Sequence, residues 1–165
     1  MRARARDSVC KEAAARRRSG RAAKGATQLR GQRGFARRLG ERDEVRVVAD
    51  QIGTPTTARG LAQALWALGV CGASGIHHWT DAGVASWYDF AVAIGELGVQ
   101  AGLLERAARV KPLTTADYPT PAQRPSYSLL DCAASRAALK LAPQSWRAAL
   151  AQVLHETSLT LSPSR

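Results

Sequence analysis

Three prolines within seven residues, Pro119, Pro121 and Pro125, set the tightest limit on what this chain can fold into. Each ring holds φ near about −65° and pushes the residue before it toward extended geometry, so a helix cannot pass through. The stretch Asp117–Asp131 therefore reads as a stiff extended strap that ends in Leu129 and Leu130, with Asp131 where a helix N-cap would sit. A long segment without regular structure between periodic stretches is either functional or a plain surface connector. Tyr118, Arg124 and Tyr127 set it apart from a disordered linker, which is poor in aromatics.

Charge divides the chain in two. Residues 1–40 hold 13 of its 24 Lys and Arg, against only Asp7 and Glu12. The net charge of +11 thus lies wholly in that segment, and residues 41–165 are balanced. A basic domain would spread its charge, so this asymmetry marks a tail or a foreign segment. The same 40 residues contain 11 Arg, 9 Ala and 5 Gly, and Val9, Leu29, Phe35 and Leu39 follow no period. Such a segment cannot bury enough apolar surface to offset its ordering entropy, and disorder or weak helix is expected. Three readings stay open: a nucleic-acid arm acting through counterion release, a transit peptide, or a shifted reading frame in GC-rich DNA.

From Glu41 onward a domain of ordinary composition begins, with a polar tail expected from Thr157 to Arg165. Cys10, Cys71 and Cys132 are odd in number and form no C-x-x-C pair, so reduced thiols and a cytoplasmic location are expected. No apolar run approaches the roughly 18–20 residues of a spanning helix, so no membrane partner is expected.

Along this domain, Val45, Val47 and Val48 predict a short strand, and Asp50–Gly53 a turn. Thr54 before Pro55 predicts a helix start, and Ala58, Leu61, Ala62, Leu65 and Leu68 recur at helical spacing, which predicts a helix over residues 55–68 that stops at Gly69. Gly69, Gly72 and Gly75 mimic a phosphate-binding glycine loop. A helix precedes them, however, and a strand over Ile76–Trp79 is expected to follow, the reverse of what a phosphate cradle needs. Adjacent His77 and His78 would face opposite sides of that strand, so a shared metal is not expected. Ser86 and Asp89 form a capping-box pattern before a helix whose Trp87, Phe90, Ala91, Ile94 and Leu97 face the core, with Gly98 closing it. Val110–Leu113 leads extended into the strap, Asp131 caps a helix through Leu139, and Pro143 starts a last helix with Trp146, Leu150 and Leu154 on one face.

Several of these strings, in this order, resemble the C-terminal part of dTDP-4-dehydrorhamnose reductases. They are Val47-Val48-Ala49-Asp50-Gln51-Ile52-Gly53-Thr54-Pro55-Thr56, Gly75-Ile76-His77-His78 and Ser86-Trp87-Tyr88-Asp89-Phe90-Ala91. Tyr118-Pro119-Thr120-Pro121-Ala122-Gln123-Arg124-Pro125, Ser128-x-Leu130-Asp131 and Pro143-x-x-Trp146-Arg147-x-x-Leu150 continue the likeness, which runs from Glu41 to His155. The resemblance implies an α/β chain: the C-terminal substrate-domain portion, residues 41–156, of a Rossmann-type extended short-chain dehydrogenase, behind a disordered basic N-terminal segment. It implies NADPH-dependent reduction of dTDP-4-dehydro-L-rhamnose to dTDP-L-rhamnose for surface polysaccharides, a homodimer as one arrangement, and Mg2+ in some members.

The family's proton donor is a Tyr whose pKa is lowered by a Lys four residues on. Tyr88, Tyr118 and Tyr127 are instead followed at that spacing by Val92, Ala122 and Asp131. The strand–glycine-loop–helix for the cofactor is missing as well. No catalytic, cofactor-binding or metal-binding residue is therefore assigned, and a truncated or frame-shifted gene, inactive by itself, is the expectation. Gln51, Thr56 and Arg124 are the expected substrate-binding residues, Arg124 because its planar fork suits a diphosphate. An ion pair with Asp131 is the competing role for Arg124. The alternative function is a binding module with residues 1–40 as a nucleic-acid arm, a partner that the balanced domain makes the less expected one.

Overall fold

The computed structural model describes residues 40–161. The expectations for residues 1–39 and for the last four residues lie outside them.

The valine run forms strand β1, Glu44–Val48, which pairs in parallel with β4, Arg109–Leu113. Val45 sits opposite Val110 and both pack on the main core. The alternating positions Glu44, Arg46 and Lys111 lie on the other face, because successive side chains of a strand point to opposite sides. Arg46 is in register with Lys111, a repulsive pair. Glu44 offsets it, 2.7 Å from Lys111 Nζ and 3.9 Å from Arg46 Nε. The hydrogen bond from Lys111 holds the Glu44 carboxyl below its ordinary range.

Between the two parallel strands the chain makes a long excursion. Strand β2, Ile52–Gly53, pairs antiparallel with β3, Ala85–Ser86, and helix α1, Ala58–Cys71, lies between them in sequence. Helix α2, Trp87–Gln100, starts where β3 ends. A single 3-10 turn, Thr115–Asp117, follows β4, then α3, Ala133–Leu139, and α4, Trp146–Leu161.

The core lies where α2 and α4 meet the β1–β4 pair. Ala93, Ile94, Ala108, Leu150 and Leu154 are its buried members, with Phe90, Leu97, Leu103, Leu104 and Trp146 packed around them. Phe90 and Trp146 meet edge to face, their ring centroids 6.0 Å apart, a geometry the aromatic quadrupole favours. The capping box at the start of α2 is complete. Asp89 N–H donates to Ser86 Oγ at 3.0 Å, and Ser86 N–H donates to Asp89 Oδ2 at 2.9 Å.

Several expectations need correction. Helix α1 begins three residues later than predicted, with Thr57 as N-cap, because Thr54 and Thr56 spend their hydroxyls elsewhere: on the carbonyls of Gly83 and Thr54. It also runs through Gly69 and ends at Gly72, whose φ of 59° is the left-handed geometry of a C-cap. Its apolar stripe is largely in solvent: Ala64 is buried, whereas Leu61 and Leu65 are 41% and 60% exposed. Trp87 likewise points outward.

Residues 76–79 form no strand, since their partner is a helix. His78 N–H donates to Ser135 Oγ of α3 at 3.1 Å, and the His77 ring meets Ser74 O at 3.2 Å. Helix α2 continues two residues past Gly98. The N-cap of α3 is Cys132, although Asp131 Oδ1 still accepts from Ala133 N–H at 2.8 Å. Helix α4 starts at Trp146 because Gln144 and Ser145 pair with Ala82, and it continues past Thr157, which is buried. Cys132 is a buried free thiol. No helix among the described residues is long and apolar enough to cross a membrane.

Candidate functional site

In a parallel sheet, ligands meet the carboxyl ends of the strands. Here those ends are Val48 and Leu113, and two segments leave from them: Ala49–Gly53 and the strap. Ala49 N–H still donates to Leu113 O at 2.9 Å, so the two chains part side by side.

The strap's entry is clamped by carboxylates. Thr114 gives its N–H and its hydroxyl to Asp117 Oδ2, at 2.9 and 2.7 Å. Thr115 gives the same two groups to Asp50, 2.9 Å from the amide to Oδ2 and 2.7 Å from the hydroxyl to Oδ1. Two consecutive threonines are thus each held by one carboxylate. These donors stabilise the charged form, the backbone N–H first and the hydroxyl second, and they hold both Asp50 and Asp117 below the usual carboxylate range. Gln51, one of the expected site residues, joins the same knot by donating from Nε2 to Thr115 Oγ1 at 3.1 Å.

The strap's exit is fastened by the next residue along. Ile52 N–H donates to Ser126 O at 2.8 Å, and Ile52 O accepts from the N–H and the hydroxyl of Ser128, at 2.9 and 3.0 Å. Tyr127 therefore lines up beside Ile52, which on its other edge pairs with Ser86. Between entry and exit the strap is exposed throughout. Arg124 lies on it with no hydrogen bond or ion pair among the described residues. The competing ion pair with Asp131 is not formed, because that carboxylate accepts from Ala133 instead.

Thr56 belongs to a second knot, next to this one in sequence. Asp81 is only 3% exposed and receives the N–H and hydroxyl of Thr57 at 2.9 and 3.1 Å. Thr56 Oγ1 accepts from Asp81 N–H at 3.4 Å. Asp81 thus stands at the positive end of α1, where an anion is stabilised by the helix dipole and by free N–H groups. Ala82 beside it exchanges backbone bonds with Gln144 and Trp146 at the head of α4. Gln51 therefore sits at the base of the strap, Arg124 on its arm, and Thr56 in the adjoining helix cap. The structure groups Gln51 with the strap and leaves Thr56 in the other knot.

Sequence reading missed Asp50, Thr115, Ser126 and Ser128. For the clamp beside them a signal was present: Thr114-x-x-Asp117 has the same spacing as Ser86-x-x-Asp89. Nothing local marks Asp50 as the partner of a residue 65 positions away.

A nicotinamide dinucleotide does not fit the described residues. Gly69 lies within α1, Gly72 caps its end and Gly75 follows it, and none of them opens a helix, so no row of free N–H groups faces a pyrophosphate there. No three His, Cys, Asp or Glu gather for a metal among the described residues.

Comparison with known proteins places this architecture. The family model of the RmlD substrate binding domain matches residues 31–159. A dTDP-4-dehydrorhamnose reductase of Aggregatibacter actinomycetemcomitans is 41% identical over 118 residues, which cover 68% of this chain and 40% of that protein. A probable dTDP-4,6-dihydroxy-2-methyloxan-3-one 4-ketoreductase of Streptomyces antibioticus is 41% identical over 124 residues, 72% of this chain and 40% of the relative. Among solved structures, the Clostridium acetobutylicum dTDP-4-dehydrorhamnose reductase superposes with a TM-score of 0.67 at 29% identity, covering 85% of this chain and 46% of its own. The Bacillus anthracis reductase, solved in complex with NADP, gives a TM-score of 0.64 at 29% identity, over 76% of this chain and 42% of its own. The chain spans about two-fifths of the length of the curated relatives it matches. With most of its length matched by that family model, and with these relatives, the chain belongs to the RmlD substrate-binding-domain family of the dTDP-4-dehydrorhamnose reductases.

Proposed function

We propose that this chain binds the dTDP portion of a dTDP-linked 4-dehydro sugar, as the substrate-holding part of an NADPH-dependent reduction to dTDP-L-rhamnose. Arg124 carries the reading: a guanidinium without a partner among the described residues, on an exposed arm beside the carboxyl ends of two parallel strands. Its fork can give two parallel N–H bonds to a diphosphate. Gln51 and Thr56 supply polar groups at the base of the arm and in the adjoining cap.

NADPH, when bound, would supply the hydride. The described residues offer it no cradle, so no step is assigned to them, and turnover by this chain alone is not expected. The nucleic-acid alternative rests on residues 1–40, of which only Gly40 is described.

Titration of the chain with dTDP, followed calorimetrically, tests the proposal. Arg124→Ala is expected to weaken binding roughly tenfold, the range for losing a hydrogen bond to a charged group. Equal affinity of wild type and variant would remove Arg124 from the site, and no binding at millimolar dTDP would overturn the function.

A further inference from the structure

The strap closes on itself. Its entry is held by Asp50 and Gln51 and its exit by Ile52, so both ends are fastened to three consecutive residues. That is the anatomy of an Ω-loop, a surface loop whose two ends lie side by side. The neck contrasts with the arm. Thr115, Ile52 and Ser128 exchange main-chain and side-chain bonds across it, whereas no residue from 118 to 125 bonds outside the arm and its neck among the described residues. Within the arm, Thr120 Oγ1 reaches only Ala122 O, at 2.8 Å, and Tyr118 N–H returns to Thr115 O.

Such a segment is tied firmly at its base and free along its length, and Pro119, Pro121 and Pro125 keep it from crumpling. A stiff arm on a fixed neck swings as one piece and loses little entropy when it docks. Charge gives it a direction. Asp50 and Asp117 make the neck anionic, so a diphosphate cannot settle there, and the guanidinium that would meet it is carried out on the arm at Arg124.

We propose that residues 118–125 form a lid that hinges on this neck and closes over a bound nucleoside diphosphate. Asp50 is its positioning residue: it touches no ligand and fixes the point from which Arg124 is delivered. The inference rests on the nucleotide-sugar reading above and adds to it a moving part and a residue.

Amide hydrogen exchange on the full chain, with and without dTDP, tests it. Without ligand, the amides of Ile52, Thr115 and Ser128 should exchange at least about tenfold more slowly than those of Thr120, Ala122, Gln123 and Arg124, as expected for a protected neck and an open arm. Saturating dTDP should slow the arm amides severalfold and leave the neck unchanged. Asp50→Ala should speed exchange at Thr115 and weaken dTDP about tenfold, chiefly through faster dissociation. Asp50→Asn, which keeps a carbonyl acceptor for Thr115, should restore most of both. Bound dTDP with unaltered arm exchange overturns the lid and leaves the binding function standing. So does equal exchange of neck and arm in the free chain. Absence of dTDP binding overturns the function first, and the lid with it.

Discussion

Thr114 and Thr115 show how much two ordinary residues can do when each meets a carboxylate. Because Asp50 and Asp117 are held below their ordinary value of 3.8, they favour the folded state only while ionised. The folded state then binds fewer protons than the unfolded chain, so stability is full above that value and falls as pH drops through the depressed folded values. Urea midpoints should therefore be flat from about pH 7 to 5 and decline below about pH 4. The double variant Asp50→Asn/Asp117→Asn should show a shallower acid decline than wild type, and an identical slope would contradict the assignment. Gly60 makes a second residue-level case. A β-carbon there would lie 2.6 Å from Asp81 Oδ1, on a side chain buried and bonded to Thr57. Gly60→Ala should cost about 1–3 kcal/mol in chemical denaturation, the usual penalty of overpacking. Only the local part of this chemistry carried a signal in the sequence. The Thr114–Asp117 bond follows a spacing rule, whereas Asp50–Thr115 and Asp81–Thr57 join residues brought together only by the fold.

At the scale of elements, periodicity found every long helix and local signals misplaced their ends. The β1 valines and the Ser86–Asp89 cap were readable because their causes are local. The start of α1 was not, since Thr54 and Pro55 make as good a helix start as Thr57 until Gly83 takes the Thr54 hydroxyl. The strand expected at Ile76–Trp79 did not form: His78 N–H is taken by Ser135 Oγ of α3, and Ile76 stays 91% exposed. Where helix faces meet, the cost of change can be predicted. Leu150 is 2% exposed among Ala93, Ile94 and Leu154, so Leu150→Ala should leave a cavity and cost about 2–5 kcal/mol in urea unfolding. Ser86→Ala removes one half of a capping box and should cost about 1 kcal/mol, with Ser86→Thr, which keeps the hydroxyl, recovering most of it. A loss at Ser86 larger than the loss at Leu150 would mean that the cap and not the core holds α2 in place.

For the molecule as a whole, the feature that decides behaviour in solution is the outer face of α1. From Gly60 to Ile76 the chain carries no charge at all, and Leu61, Leu65, Val70 and Ile76 are 41%, 60%, 36% and 91% exposed. Helical spacing correctly announced an apolar stripe there and could not say what it would face. In the described chain the main core forms elsewhere, where α2 and α4 meet the β1–β4 pair. A contiguous apolar patch without charge has nothing to oppose contact with its like, so it is a site of self-association. Residues 41–165 are balanced in charge, and long-range repulsion would not keep two such domains apart either. Leu61→Glu/Leu65→Glu should therefore reduce light scattering and dye binding to exposed apolar surface. Both positions face solvent, so the urea midpoint should shift by no more than about 0.5 kcal/mol in equivalent stability. If the double variant instead unfolds the chain, those leucines are packed against something in solution and the face is not open. If scattering persists with the fold intact, association runs through another surface, the exposed Val84 and Trp87 at the head of α2 being the next to change.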